Sequence, residues 1–201
     1  MTADARPPAL PLTAGQRARR ARILDATAEL AGRGGFEAVQ MREVAEAAGV
    51  ALGTLYRYFP SKIHLLVATL HDRLRLLRTT LADHPPAGHT PGERAAATLL
   101  RAFGALRREP ELADAMLRAW TFADRSVRAE ADAVSRLVAE IVLDASGLAD
   151  PDAGQLSAVR VVEHTWYATL TSWLSGRAPA GQVRTDIETA CRLLDPPRPG
   201  G

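Results

Sequence analysis

Apolar residues along this chain recur every third or fourth position, and strict alternation of apolar with polar is rare. Val44, Ala45 and Ala48 fall on one face of a segment over 41–48, Leu52, Leu55 and Phe59 on one face of the next, and Trp166, Leu170 and Trp173 on one face much further along. This is the period of helices that each bury a single stripe. Prolines punctuate the pattern, at Pro7, Pro8 and Pro11, then at Pro60, Pro85, Pro86, Pro91, Pro110, Pro151 and Pro179, and last at Pro196, Pro197 and Pro199. The proline-free stretches predict an all-α protein of about nine helices, three short ones near the front and longer ones behind.

Individual boundaries are legible. Thr13 with Gln16, and Thr90 with Glu93, have the spacing of a capping box, in which each side chain satisfies the other's backbone N–H. The first should open an Arg-rich helix over 14–33, and Ser61 should cap a helix running to Ala82. Pro91, Pro151 and Pro179 mark first helical positions. Gly34-Gly35, Gly49, Gly147 and Gly176 stand where a left-handed residue ends a helix. Both ends are rich in Pro, Gly and Ala, so 1–12 and 196–201 are expected to be disordered tails.

Composition narrows the class. Of 201 residues, 47% are hydrophobic and 24% charged, ordinary for a globular chain. The lone cysteine, Cys191, excludes a disulfide framework and any multi-cysteine metal site. No apolar run reaches the ~18 residues of a membrane span. The first dozen residues lack the basic start and long apolar stretch of a signal peptide, so a cytoplasmic setting is expected, with no membrane role. The net charge of +2 is uneven. Residues 1–62 hold eight Arg and one Lys against six acids, while 63–201 hold sixteen Arg against seventeen acids. A basic front on a near-neutral body fits contact with a polyanion through one end.

That front contains two short helices joined at Gly49, the helix-turn-helix pattern. Ala45 is small where the second helix crosses, and Val50 can plug the corner. At 100° per residue, Leu52, Leu55 and Phe59 face inward, whereas Gly53, Thr54 and Arg57 face out with Tyr56 and Tyr58 on the flanks. Such a face suits a major groove: Arg pairs with guanine, Thr meets a thymine methyl, and phenols bond phosphates. An ordinary helical hairpin with a polar outer surface fits the pattern as well.

The run Gly49-Val50 through Gly53-Thr54-Leu55-Tyr56-Arg57-Tyr58-Phe59-Pro60-Ser61-Lys62, with Ile23-Leu24-Asp25-Ala26 and Gly34-Gly35-Phe36 before it, resembles the DNA-binding signature of the TetR family of transcriptional regulators. The match covers about residues 16–66. Gln40-Met41 stands where the family often has Thr, and Ile63-His64 where it often has Glu. The resemblance implies a TetR-like homodimer that acts as a repressor on palindromic double-stranded operator DNA. It places a helix-turn-helix domain at 13–60 and a ligand-binding and dimerisation domain at 61–195. Carried onto matching positions, the DNA contacts are Arg42, Thr54, Tyr56, Tyr58 and Lys62, with Arg57 as a base reader and Gly53 permitting close approach. Lys62, the only lysine, would hold a phosphate at the start of its helix. Arg17, Arg19, Arg20 and Arg22 read either as a basic arm on the phosphates or as solvated surface. VALGTLYRYFPSKIHLLVATL and PELADAMLRAWTFADRSVRAE further resemble the subgroup of this family that represses cholesterol catabolism in mycolic-acid-containing actinobacteria.

For the body, Leu70, Leu74, Phe103, Met116, Trp120, Ile141 and Trp166 are the expected lining of an apolar ligand site. Leu170 and Trp173 are expected at the dimer seam. The subgroup resemblance implies a steroid intermediate as its coenzyme A thioester, with a fatty acyl thioester or a planar drug as the competing ligand. A thioester's polyanionic end should leave past basic residues, for which Arg118, Arg125, Arg128 and Arg160 are candidates. No catalytic residue, metal site or cofactor is expected. His71, His84, His89 and His164 are dispersed, and Cys191 has no partner in view. An enzyme reading therefore lacks a reactive constellation, and a helical adaptor without DNA binding leaves the Tyr/Arg/Thr face unexplained.

Overall fold

A computed structural model describes residues 13–196, so the two expected tails fall almost entirely outside the described residues. Nine α-helices and two short 3₁₀ turns make up the described residues, with no strand among them. In chain order the helices are α1 Ala14–Ala38, α2 Met41–Ala47, α3 Leu52–Tyr58, α4 Lys62–Asp83, α5 Pro91–Leu106, α6 Pro110–Thr121, α7 Arg128–Ser146, α8 Ala153–Leu174 and α9 Ala180–Cys191. The 3₁₀ turns are Arg125–Val127 and Arg192–Leu194.

The helix starts follow the local chemistry, with two corrections. Both expected capping boxes form, Thr13 with Gln16 and Thr90 with Glu93, and Ser61 caps α4 by accepting from the His64 N–H. The proline-at-start readings for the last two helices do not hold. Asp152 caps α8 in a box with Gln155, leaving Pro151 one residue outside. Pro179 occupies the cap position of α9 itself. An extended proline can precede a helix as well as enter it, and Asp152 offers an oxygen that Pro151 lacks.

Glycine ends helices where expected: Gly49, Gly147 and Gly176 all have φ between 63° and 72°. The Gly34-Gly35 pair breaks α1 with non-helical φ/ψ (Gly35 at φ 66°), after which one more turn reaches Ala38. With 25 residues α1 is the longest helix described, so only α2 and α3 at the front are short.

Two main apolar cores hold the chain. The first joins Ile23, Leu24 and Ala31 of α1 to Val44, Leu55, Leu65 and Leu66, then continues into Leu112 and Met116 of α6 and Val138 of α7. It crosses the 60/61 junction without a break, and α1 packs more extensively on α6 than on any other helix. The second gathers Leu99, Phe103, Trp166, Leu170, Val183 and Ile187 from α5, α8 and α9. A smaller seam of Leu81, Leu137, Ile141 and Ala145 joins α4 to α7.

Candidate DNA-reading face and ligand cavity

Helix α3 is placed from beneath. Leu55 is fully buried and Phe59 nearly so, while the Val50 N–H donates to the Ala45 oxygen at 2.9 Å and closes the corner between α2 and α3. Seven residues give only two turns, so this packing, and not helix propensity, fixes the direction of α3. The outward face is as the periodicity predicts. Gly53 and Arg57 are exposed, Thr54 is half-buried, and Tyr56 is 46% exposed. Tyr58 lies half-buried beside Phe59. Gly53 has normal helical company, and a Cβ added there would meet nothing within 4 Å. Nothing inside the protomer therefore requires glycine at this position; what remains is the approach of something from outside. Arg17 and Arg42 lie exposed on α1 and α2.

Two basic residues behave differently from an open phosphate arm. The Lys62 Nζ donates to the Phe36 carbonyl at 2.8 Å and sits 4.1 Å above the Phe36 ring, which ties the start of α4 to the end of α1. An ammonium has three donors, and the others stay available. Arg20 lies half-buried over the Phe59 ring, with its guanidinium pKa lowered, chiefly by burial.

His64 is a connection that periodicity does not reveal. It is 9% exposed, with Nδ1 2.9 Å from the Ser61 hydroxyl and Nε2 3.2 Å from the Ser126 carbonyl. A carbonyl only accepts, so Nε2 carries a proton and donates to it, with Nδ1 left facing the Ser61 hydroxyl. This joins the start of α4 to the turn between α6 and α7. The Phe36 ring adds a second joint. Arg118 of α6 lies over it at 5.3 Å, and Phe122 meets it edge-on at 6.1 Å.

Beyond that joint a cavity of about 400 Å³ opens among five helices. Leu70, Leu74 and Leu77 come from α4, Ala102 and Leu106 from α5, and Met116, Leu117 and Trp120 from α6. Val134 and Val138 of α7 and Trp166, Tyr167 and Leu170 of α8 complete the apolar wall. Its polar groups are Arg73, Ser135, Glu163 and His164, with the Tyr167 hydroxyl 2.7 Å from that of Thr121. A small number of polar groups in a largely apolar wall is the usual form of a small-molecule site.

Of the expected lining, Leu70, Leu74, Met116, Trp120 and Trp166 are present. Phe103 and Ile141 are not: Phe103 packs edge-on against Trp173 at 5.1 Å in the second core, and Ile141 fills the α4–α7 seam. Helix α5 presents Ala102, Ala105 and Leu106 to the cavity, which turns Phe103 away. Leu170, expected at a dimer seam, is 2% exposed and lines the cavity. Trp173 is half-buried against Phe103. None of Arg118, Arg125, Arg128 and Arg160, the candidates for a basic rim, lines the cavity itself. Arg118 instead sits within ion-pair range of Glu37 and Asp114, and Arg128 of Asp132. The cavity's own cation, Arg73, lies one turn after Leu70, and no sequence signal distinguishes it from other exposed arginines.

This arrangement, a helix-turn-helix reader packed on a helical body with an apolar cavity, is that of a one-component regulator. The chain belongs to the TetR family: residues 23–69 match the model for bacterial regulatory proteins of the tetR family, and 88–194 match a tetracyclin repressor-like C-terminal domain. It is 45% identical, over 89% of its length and 84% of the relative's, to the HTH-type transcriptional repressor KstR of Rhodococcus jostii. A crystal structure of a TetR transcriptional regulator from Rhodococcus sp. RHA1 superposes with a TM-score of 0.84 at 38% identity, covering 90% of this chain and 97% of that one. Thermus thermophilus FadR, a TetR-family repressor solved with lauroyl-CoA, superposes at 0.65 with 26% identity, covering 90% and 100%. The chain is thus a KstR-like transcriptional repressor, a DNA-binding regulator and not an enzyme. TetR regulators bind operator DNA and hydrophobic ligands and act as dimers. Among the described residues no helix is long and apolar enough to cross a membrane.

Proposed function

We propose that the chain is a cytoplasmic repressor of steroid or lipid catabolism genes, released from a palindromic operator by a steroid acyl-CoA. The observation that carries this reading is the double role of α6. One side of this helix puts Met116, Leu117 and Trp120 into the cavity, and Leu112, Ala115 and Ala119 join the core shared with α1. A ligand that widens the cavity displaces α6 and, through it, the reader. Two α3 helices must stand about 34–36 Å apart, or a multiple of it, to enter successive major grooves on one face of the duplex. The ligand releases DNA only by binding more tightly to the conformation in which that spacing is lost.

In this reading Arg57 and Arg42 read bases, while Thr54, Tyr56 and Tyr58 dock beside them. Gly53 allows the close approach, and Lys62 and Arg17 meet phosphates. The dimer forms through α8 and α9, and Leu156 and Val161 of α8 stay exposed for it. The rings of the steroid lie against Leu70, Leu74, Met116 and Trp120. Trp120 offers a broad face and Met116 adapts to an irregular contour. The polar end leaves past Arg73 and His164. Identity to a KstR repressor supports the steroid, whereas the lauroyl-CoA complex of the FadR relative favours a fatty acyl thioester as the second reading.

Titrating the protein–operator complex with a steroid acyl-CoA, the free steroid acid and a long-chain fatty acyl-CoA separates the two. Release by the steroid thioester alone is the expected result. Release by the fatty acyl-CoA alone overturns the steroid assignment. Equal potency of the free acid removes the role given to Arg73 and His164 and leaves the apolar slot intact.

A further inference from the structure

A second concavity lies on the other side of the α4–α7 seam from the ligand cavity, with Leu81, Leu137 and Ile141 between them. It is an open cleft of about 800 Å³ whose walls include His71, Arg75 and Arg78 of α4 and Arg136 and Glu140 of α7. Its two ends differ in charge. At one end Arg78 donates from Nε to Asp144 at 2.8 Å and also pairs with Glu140, so that both carboxylates are occupied. At the other end His71, Arg75 and Arg136 line the wall, and the charges of Arg75, Arg136 and, from outside the lining, Arg20 bear on His71 against that of Asp72. Asp72 reaches Arg75 only at 4.0 Å, and among the described residues Arg136 makes no ion pair. Two guanidiniums, from α4 and α7, thus line the cleft beside one imidazole.

We infer that the His71 end of this cleft is a binding site for a phosphoryl group, distinct from the apolar cavity. Phosphate is the matching chemistry because guanidiniums hold its oxygens in pairs, and an imidazole N–H adds a further donor. The electrostatics agree with this: burial first, and then Arg20, Arg75 and Arg136, hold the His71 imidazole below its ordinary range. A bound dianion relieves that repulsion. The two arginines belong to α4 and α7, and α4 starts at the DNA reader, so an occupant clamps α4 to the body at a point the hydrophobic ligand does not touch. Phosphate here therefore biases the angle between reader and body, whatever the apolar cavity holds. The inference does not depend on the steroid reading.

The test is calorimetric titration of the full-length protein, without DNA or lipid ligand, in chloride at fixed ionic strength. The probes are inorganic phosphate, coenzyme A and 3′-dephospho-coenzyme A. Saturable binding is expected, weakened about tenfold, the loss of one charge-assisted contact, in either Arg136→Gln or Arg75→Gln. Neither residue belongs to the reading face or the cavity, and both are exposed, so folding is not at stake. Binding of inorganic phosphate that both variants weaken identifies a free phosphate as the occupant. Binding of coenzyme A but not of the dephospho form, with the same loss in the variants, identifies a phosphate carried on a coenzyme. No saturation at matched ionic strength by any probe overturns the site, as does affinity unchanged in both variants.

Discussion

The reading face and the ligand cavity differ in how the chain builds them. Every residue of the face comes from the short run between Arg42 and Lys62, apart from Arg17, and two turns of helix decide what points outward. The cavity takes its wall from five helices between Leu70 and Leu170, whose lining residues are separated by long stretches of chain. A local face can be read by counting at 100° per residue. A gathered wall depends on how each helix is rotated about its own axis, which the distant partners decide.

That difference accounts for what the sequence made legible. Gly53, Thr54, Tyr56 and Arg57 stand outward as periodicity requires, over a buried Leu55 and Phe59. In the body, Met116 and Trp120 were legible because their spacing of four on an apolar helix leaves few other roles. Phe103 was misplaced because α5 carries apolar residues on more than one side, and its rotation is fixed by Trp173, seventy positions on. On α8 the stripe of Trp166, Leu170 and Trp173 does lie on one face, but that face turns into the protomer at its first two members. Arg73 and Arg20 show the same limit for charge, since nothing local marks an arginine that faces a cavity or lies over a ring.

The contrast has a limit of its own, because one apolar core runs from the reader into α6 and α7. The largest expected effect tests it. Leu55→Ala removes a fully buried side chain from the reader and should cost about 2–5 kcal/mol. With a shared core, that loss should lower a single cooperative unfolding transition, followed together by circular dichroism and by the tryptophans, all of which lie in the body. A separate early transition of the reader, with the tryptophan signal unmoved, would show two independent units.

Within the face, base reading and phosphate holding should separate. Arg57→Ala is expected to cost about 1–3 kcal/mol of operator affinity and to flatten the preference between operator and scrambled DNA. Lys62→Ala should weaken both DNAs alike, with a further small loss of thermal stability because Nζ also holds the Phe36 carbonyl. Equal, sequence-independent losses from the two would end the division of labour. In the cavity, Trp120→Ala should weaken ligand-induced release about tenfold while unliganded operator affinity changes little. An operator affinity that falls as far as the ligand response would mean that Trp120 supports α6 and does not read the ligand.

The smallest effect belongs to His71, where α4 leaves the reader for the body. Its folded-state pKa lies below the ordinary imidazole value of 6.5, first through burial and then through Arg20, Arg75 and Arg136. The unfolded chain therefore takes up this proton before the folded one does. Stability is highest above pH 6.5 and declines as the pH falls through that value toward the folded pKa, below which no further loss comes from this group. Thermal unfolding between pH 7.5 and 5.5, in a phosphate-free buffer, should thus fall more steeply for the native chain than for His71→Gln. Identical slopes would remove the imidazole from the charge cluster. The excess slope should shrink when phosphate is added: an anion beside Arg75 and Arg136 favours the protonated ring, so the folded state gains the proton more readily and the slope of the native chain flattens toward that of the variant. A slope that ignores phosphate would leave His71 burdened by the arginines but outside any anion site, and would confine the cleft's influence to electrostatic strain between the two regions.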